Sequence, residues 1–135
     1  MQRILIILLI LTALACMGMG GVGGFPEGTV PETDVPINAK VMDRSGTETS
    51  LNQFSMEGQT YLDASRGQGK LTVPFQHIAL INFGDIRGDE VRVEVKLKSG
   101  DTLDLGVRTR AFFYGSTGFG AFKIRARDLS RVEFP

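Results

Sequence analysis

Glu90-Val91-Arg92-Val93-Glu94-Val95-Lys96-Leu97 alternates aliphatic and charged residues over its whole length, the period-two signature of a strand with one buried face. Ser99-Gly100-Asp101 turns the chain, and Leu103, Leu105 and Val107 restart the alternation in a second strand that runs towards Arg110. Phe112-Phe113-Tyr114 adds aromatic bulk before a turn at Gly115-Ser116-Thr117-Gly118. In the third strand Phe122, Ile124 and Ala126 point one way, and Lys123, Arg125 and Arg127 the other. Asp128-Leu129-Ser130 reads as a short turn capped by the Asp carboxylate, and Arg131 to Phe134 as a closing strand.

The same pattern is written earlier in the chain. Gly67, Gly69, Leu71, Val73, Phe75, Ile78, Ile81 and Phe83 superpose at a constant offset on Gly118, Gly120, Phe122, Ile124, Ala126, Leu129, Val132 and Phe134. Further upstream the offset grows, and Val41, Ser45, Gly46 and Leu51 match Val95, Ser99, Gly100 and Leu105. The two copies therefore differ by a short insertion in the middle. The first spans residues 37–83 and the second residues 90–135, with Gly84 to Asp89 as the linker. Strands are expected at Lys40-Val41-Met42, Tyr61-Leu62, Leu71 to Phe75 and Leu80 to Phe83, with a turn at Gln76 to Ala79. No stretch after residue 36 shows a helical period.

Short strands, tight turns and a single helical turn before the last strand resemble the SH3-like or Sm-like small barrels. That resemblance implies an all-β protein of two small barrels in tandem. The alternative is one β-sandwich or larger barrel built from both repeats. Units of about 45 residues have marginal cores, so the copies are expected to pack together in either case.

Met1-Gln2-Arg3, the aliphatic run Ile4 to Leu11 and Ala13-Leu14-Ala15 before Cys16 read as a secretory signal over residues 1–15, too short for a permanent membrane helix. This stretch resembles the signals of bacterial lipoproteins, in which the Cys that begins the mature chain is acylated. The resemblance makes Cys16, the chain's one cysteine, the lipidation site and places the protein on a membrane of the bacterial cell envelope. The alternative is a cleaved protein, periplasmic or secreted. Residues 16–36 are Gly-rich and then Pro- and acid-rich, the composition of a tether. Gly18, Gly20 and Gly23 spell a dinucleotide-loop spacing, but a signal precedes it and Phe25-Pro26 follows, where the loop needs a buried strand and a helix.

The 135 residues hold 15 Lys plus Arg against 15 Asp plus Glu, which excludes a uniform polycation or polyanion but not a local patch. One His and one Cys cannot build a Ser-His-Asp or Cys-His set, so the protein is read as not an enzyme, with no cofactor and no metal. His77 aligns with Asp128 at a turn, where a surface polar residue suffices. Asp85, Asp89 and Glu90 lack calcium-loop spacing, and Arg87-Gly88-Asp89 is too short a match to the adhesion tripeptide to carry a function. Phe112, Phe113 and Tyr114 suit core packing, with one ring turned out.

Charge is the informative feature. Between Arg108 and Arg131 lie six basic residues and one acid. Lys123, Arg125 and Arg127 share one exposed face, and Arg108 and Arg110 extend it if their strand is adjacent. The first copy has Lys70, Thr72 and Pro74 in the matching strand and no such stripe. The function expected is a non-catalytic, envelope-anchored binding or assembly module. Its partners are the membrane, reached through the lipid anchor, and an envelope protein or anionic polymer, with nucleic acid excluded by export. The alternative is a structural accessory subunit of a membrane complex with no ligand of its own.

Overall fold

The computed structural model describes residues 25–135, so the signal, Cys16 and the Gly-rich start of the tether lie outside it. The chain is all-β. Ten strands run in the order β1 (Ala39–Asp43), β2 (Glu48–Met56), β3 (Tyr61–Arg66), β4 (Gly69–Pro74), β5 (Ile78–Arg87), β6 (Glu90–Leu97), β7 (Thr102–Arg108), β8 (Phe112–Ser116), β9 (Ala121–Arg125) and β10 (Leu129–Glu133). Single 3₁₀ turns, Phe75–His77 and Ala126–Asp128, precede β5 and β10. The alternation read in β6 is met by the burial of Val91, Val93 and Val95 on one side and the exposure of Glu94 and Lys96 on the other. The stretch 84–89 continues β5 as far as Arg87 and turns at Gly88-Asp89 into β6. No side chain caps the Ala126–Asp128 turn. Its carbonyls are satisfied from outside: the Arg44 backbone N–H donates to the Asp128 carbonyl and its guanidinium Nε to that of Arg127.

All ten strands form one antiparallel sheet in the order β4-β3-β7-β6-β5-β10-β1-β2-β8-β9. The order reads the same from either end when each strand is exchanged for the one five places along the chain. The registers follow the same exchange. Leu62 faces Val73 as Phe113 faces Ile124, Val41 faces Val132 as Val95 faces Ile81, and Ser65 faces Gly106 as Ser116 faces Asn52. Ile81 opposite Val132 lies at the centre of this relation. The three residues by which the offset changes fall between Leu51 and Gly67, where β2 carries a register shift between Asn52 and Ser55 and both Gln53 and Glu57 have positive φ.

Two separate tandem barrels are not what the chain forms. Strand β2 leaves the strands that follow it in sequence and pairs with β8, while β3 pairs with β7, so the strands of residues 37–83 do not close on themselves. The alternative of a single larger barrel fits, because the sheet curls. Phe54 in β2 stacks against Phe113 of β8 at 5.6 Å and also meets Phe75, just past the β4 edge, at 5.1 Å. Phe75 in turn stacks on Phe134 at 5.3 Å. Rings from distant strands can meet in this way only across a concave interior. One continuous core results, including Ile78, Ile81, Val95, Leu105, Leu129 and Val132, all fully buried. Each such side chain contributes about 1.5–3 kcal/mol of transfer free energy, and a joined core buries more of them than two units of about 45 residues could alone.

The end of the segment read as a tether lies on this sheet. Pro31 is buried and Val35 packs against the core, and immediately after the segment the buried Ile37 accepts at its carbonyl from the Phe54 N–H at 2.8 Å.

Candidate functional site

Strand β9 ends the sheet, paired with β8 on one side and on the other side with no strand of the ladder. Its register sets Lys123 opposite Tyr114 and Arg125 opposite Phe112, so cations and aromatic rings share the outer face. Lys123 Nζ stands 4.2 Å from the centre of the Phe112 ring and the Arg125 guanidinium 5.1 Å from it. Each such contact holds a cation over the negative face of the ring and is worth about 0.5–1 kcal/mol where solvent is near. Among the described residues no carboxylate oxygen comes within ion-pair distance of either cation, so both charges remain available to an anion.

The other three basic residues are placed differently. Arg127 sits in the 3₁₀ turn beyond β9, its Nε 4.0 Å from Asp128 Oδ1. Arg108 ends β7, which lies seven places from β9 in the sheet, and faces Glu90 across the β6 ladder. Arg110 is exposed in the turn between β7 and β8. That turn does approach the end of the β9 region: the Arg127 N–H donates to the Thr109 carbonyl and the Ala126 N–H to that of Ala111. The five side chains therefore divide into Lys123 with Arg125 on one strand face, Arg110 and Arg127 on adjoining turns, and Arg108 at the end of a different strand. The expected sharing of one face by Lys123, Arg125 and Arg127 stops where the strand does, because a 3₁₀ turn abandons the period of two.

Tyr114 occupies the same outer face and yet is buried. Phe25 covers it edge-on, with ring centres 5.4 Å apart. Gly58 makes room for that cover, since a Cβ there would fall 2.7 Å from Phe25 Cζ. Burial pushes the Tyr114 phenol above its ordinary value, with the Glu57 charge adding to the shift and the Phe25 backbone opposing it. The phenol oxygen has no hydrogen bond of full geometry. Beside it, Pro26 to Thr29 and Ala121 to Lys123 line a gap of about 400 Å³. The described part of the chain thus begins beside β8 and β9.

The hairpin joining β8 to β9 carries a feature that sequence reasoning passed over. Phe119, between Gly118 and Gly120, is fully exposed. The Thr117 hydroxyl accepts from the N–H groups of Phe119 and Gly120, both at 3.1 Å, and the Thr117 N–H donates to the Gly120 carbonyl at 3.0 Å. The turn holds the ring out without resting it on anything. A lone Phe between glycines has no periodicity to betray it; the signal in the sequence was the contrast with Gln68, at the turn between β3 and β4.

Elsewhere, a cleft of about 560 Å³ on the outer face of β5 and β6 is lined by Asn82, Asp85, Arg87, Arg92, Glu94 and Asp104. It mixes both signs of charge and brings together no nucleophile and base. His77 is exposed at the end of its turn. Among the described residues no three His, Asp or Glu side chains converge as a metal site requires. Asp89 and Glu90 sit at the β5–β6 turn, and Asp85 lines the cleft.

A family model described as "Uncharacterised protein" matches residues 33–135. The chain belongs to this family. The match begins just ahead of β1 and covers all ten strands. No curated protein and no solved structure matches the chain.

Proposed function

We propose that this family member is a non-catalytic binding module of the bacterial cell envelope, lipid-anchored at Cys16, which holds an anionic partner through Lys123 and Arg125. The carrying observation is the pair of cations fixed over Phe112 on an edge strand with no carboxylate paired to either. Stacking restricts the side chains before any partner arrives, which reduces the ordering cost of binding. The attraction itself is Coulombic and falls with salt.

The body is read as a duplicated small-barrel unit whose copies interleave. Each half of the sheet runs β5-β6-β7-β3-β4 or β10-β1-β2-β8-β9, one full set of five strands drawn from both copies. The recurrence of ladder registers at the two sequence offsets supports this reading. Duplication yields two equivalent outer faces, and only the second became basic: the β3–β4 face carries Tyr61, Asp63, Lys70 and Thr72 where β8–β9 carries Phe112, Tyr114, Ala121 and Lys123.

The test compares wild type with Lys123→Glu/Arg125→Glu in binding to anionic vesicles and to envelope extracts at low and moderate ionic strength. Wild type binds at low salt and releases as salt rises, and the variant loses at least tenfold in affinity. A folded variant that binds as well as wild type removes the site and leaves an accessory subunit without a ligand. Cys16→Ser tests the anchor: it loses labelling by a fatty-acid analogue and accumulates as precursor, and equal labelling of both proteins refutes lipidation.

A further inference from the structure

We infer that the β8–β9 hairpin is the part of the body that touches the lipid bilayer, with Phe119 inserted among the headgroups and upper acyl chains and Lys123 beside it facing anionic headgroups. The inference rests on the envelope-anchored reading and extends it by naming the bilayer as the anionic partner and the hairpin tip as the contact.

Three observations converge on this one corner. Phe119 is the most exposed large apolar side chain of the described residues, and Thr117 holds its turn in a fixed shape. An aromatic ring held out in water with nothing beneath it is costly to solvate, and it is relieved by burial in an apolar boundary. The unpaired Lys123 and Arg125 follow within six residues on the same hairpin, so a ring in the interface brings cations to headgroup level. The third is chain length. Phe25 is fixed on Tyr114 and Pro26 to Thr29 run beside Ala121 to Lys123, which leaves only residues 17–24 between Cys16 and the body. Fully extended, that stretch spans about 30 Å, so a membrane attachment at Cys16 keeps this hairpin near the surface. The opposite edge, β4, has Gln68 at the matching turn and no comparable ring.

The chain contains no Trp, so a single substitution makes a unique reporter. Full-length Phe119→Trp is reconstituted in vesicles of phosphatidylethanolamine and phosphatidylglycerol, and Gln68→Trp serves as the control from the matching turn. The expected result for Phe119→Trp is a blue-shifted indole emission that is quenched by brominated acyl chains and shielded from aqueous acrylamide, while the emission of Gln68→Trp remains water-like. Replacing phosphatidylglycerol by phosphatidylcholine weakens the shift of the Phe119→Trp protein. A water-like emission from Phe119→Trp on vesicles to which the protein is bound in a salt-sensitive way overturns the insertion while leaving the basic-face reading intact. Absence of any vesicle association overturns both. Equal shifts in the two variants indicate unspecific adsorption and overturn the hairpin assignment. Protection of the Phe119→Trp indole by envelope protein fractions alone reassigns the tip to a protein contact.

Discussion

At the scale of single residues, Tyr114 carries the clearest consequence of burial. The fold holds its phenol neutral and raises the proton affinity, chiefly through desolvation. An unfolded chain ionises at the ordinary value of 10.0. Stability is therefore complete below that pH and declines as the pH climbs through the higher folded value. Tyr114→Phe removes a hydroxyl that has no good partner, so at neutral pH the variant is expected to match or slightly exceed wild type in Tm. In alkali it should lose less stability than wild type. A loss of more than about 1 kcal/mol at neutral pH would show that the hydroxyl is held by a productive bond. Asp43 departs in the opposite direction, its carboxyl drawn below the usual value by the Ser45 hydroxyl and the Thr47 and Ser45 backbone amides of its turn. The aromatic run around Tyr114 was visible in the sequence, but its cover was not: Phe25 lies in a Gly- and Pro-rich stretch whose composition reads only as reach.

At the scale of elements, strands β4 and β9 occupy the two edges of the sheet in matching registers, yet their environments differ. Val73 is buried, whereas Ile124 is half-buried and packs against the rim of the core. Their alignment as equivalent sites therefore holds for register and not for depth. Val73→Asp is expected to cost about 3–5 kcal/mol, because a carboxylate there is buried without a partner. Ile124→Asp should cost about 1–3 kcal/mol, since the charge can reach water at the edge. Urea midpoints at unchanged slope measure both, and equal losses would refute the difference in depth. Strand existence was legible wherever alternation was clean, as in Val91 to Leu97. Strand β2 was harder, because Gln53 breaks its period with a positive φ, and the six residues from Gly84 to Asp89 read as a linker because Gly84 and two acids mask the continuation of β5.

At the scale of the whole molecule, the crossed pairing of β2 with β8 and β3 with β7 ties residues 37–83 and 90–135 into one folding unit. Residues 1–89 and 90–135 expressed apart are expected to give no folded monomer, since each fragment exposes a full strand edge and an incomplete core. Mixed and refolded together, they should recover the far-ultraviolet spectrum of the intact chain, which itself unfolds in one transition. A fragment that folds alone as a monomer would refute the interleaving. The sequence by itself determined the all-β class, the positions of most strands and, where alternation is clean as in β6, their inward and outward sides, because a period of two and a glycine turn are local properties of a few adjacent residues. Partner choice was decided only by the tertiary structure. Residues 37–83 and 90–135 carry similar apolar patterns, so pairing within either stretch and pairing across the two look alike in sequence. What separates them is the curl that lets Phe54, Phe75, Phe113 and Phe134 meet in a single core, and that depends on residues brought together from opposite ends of the chain.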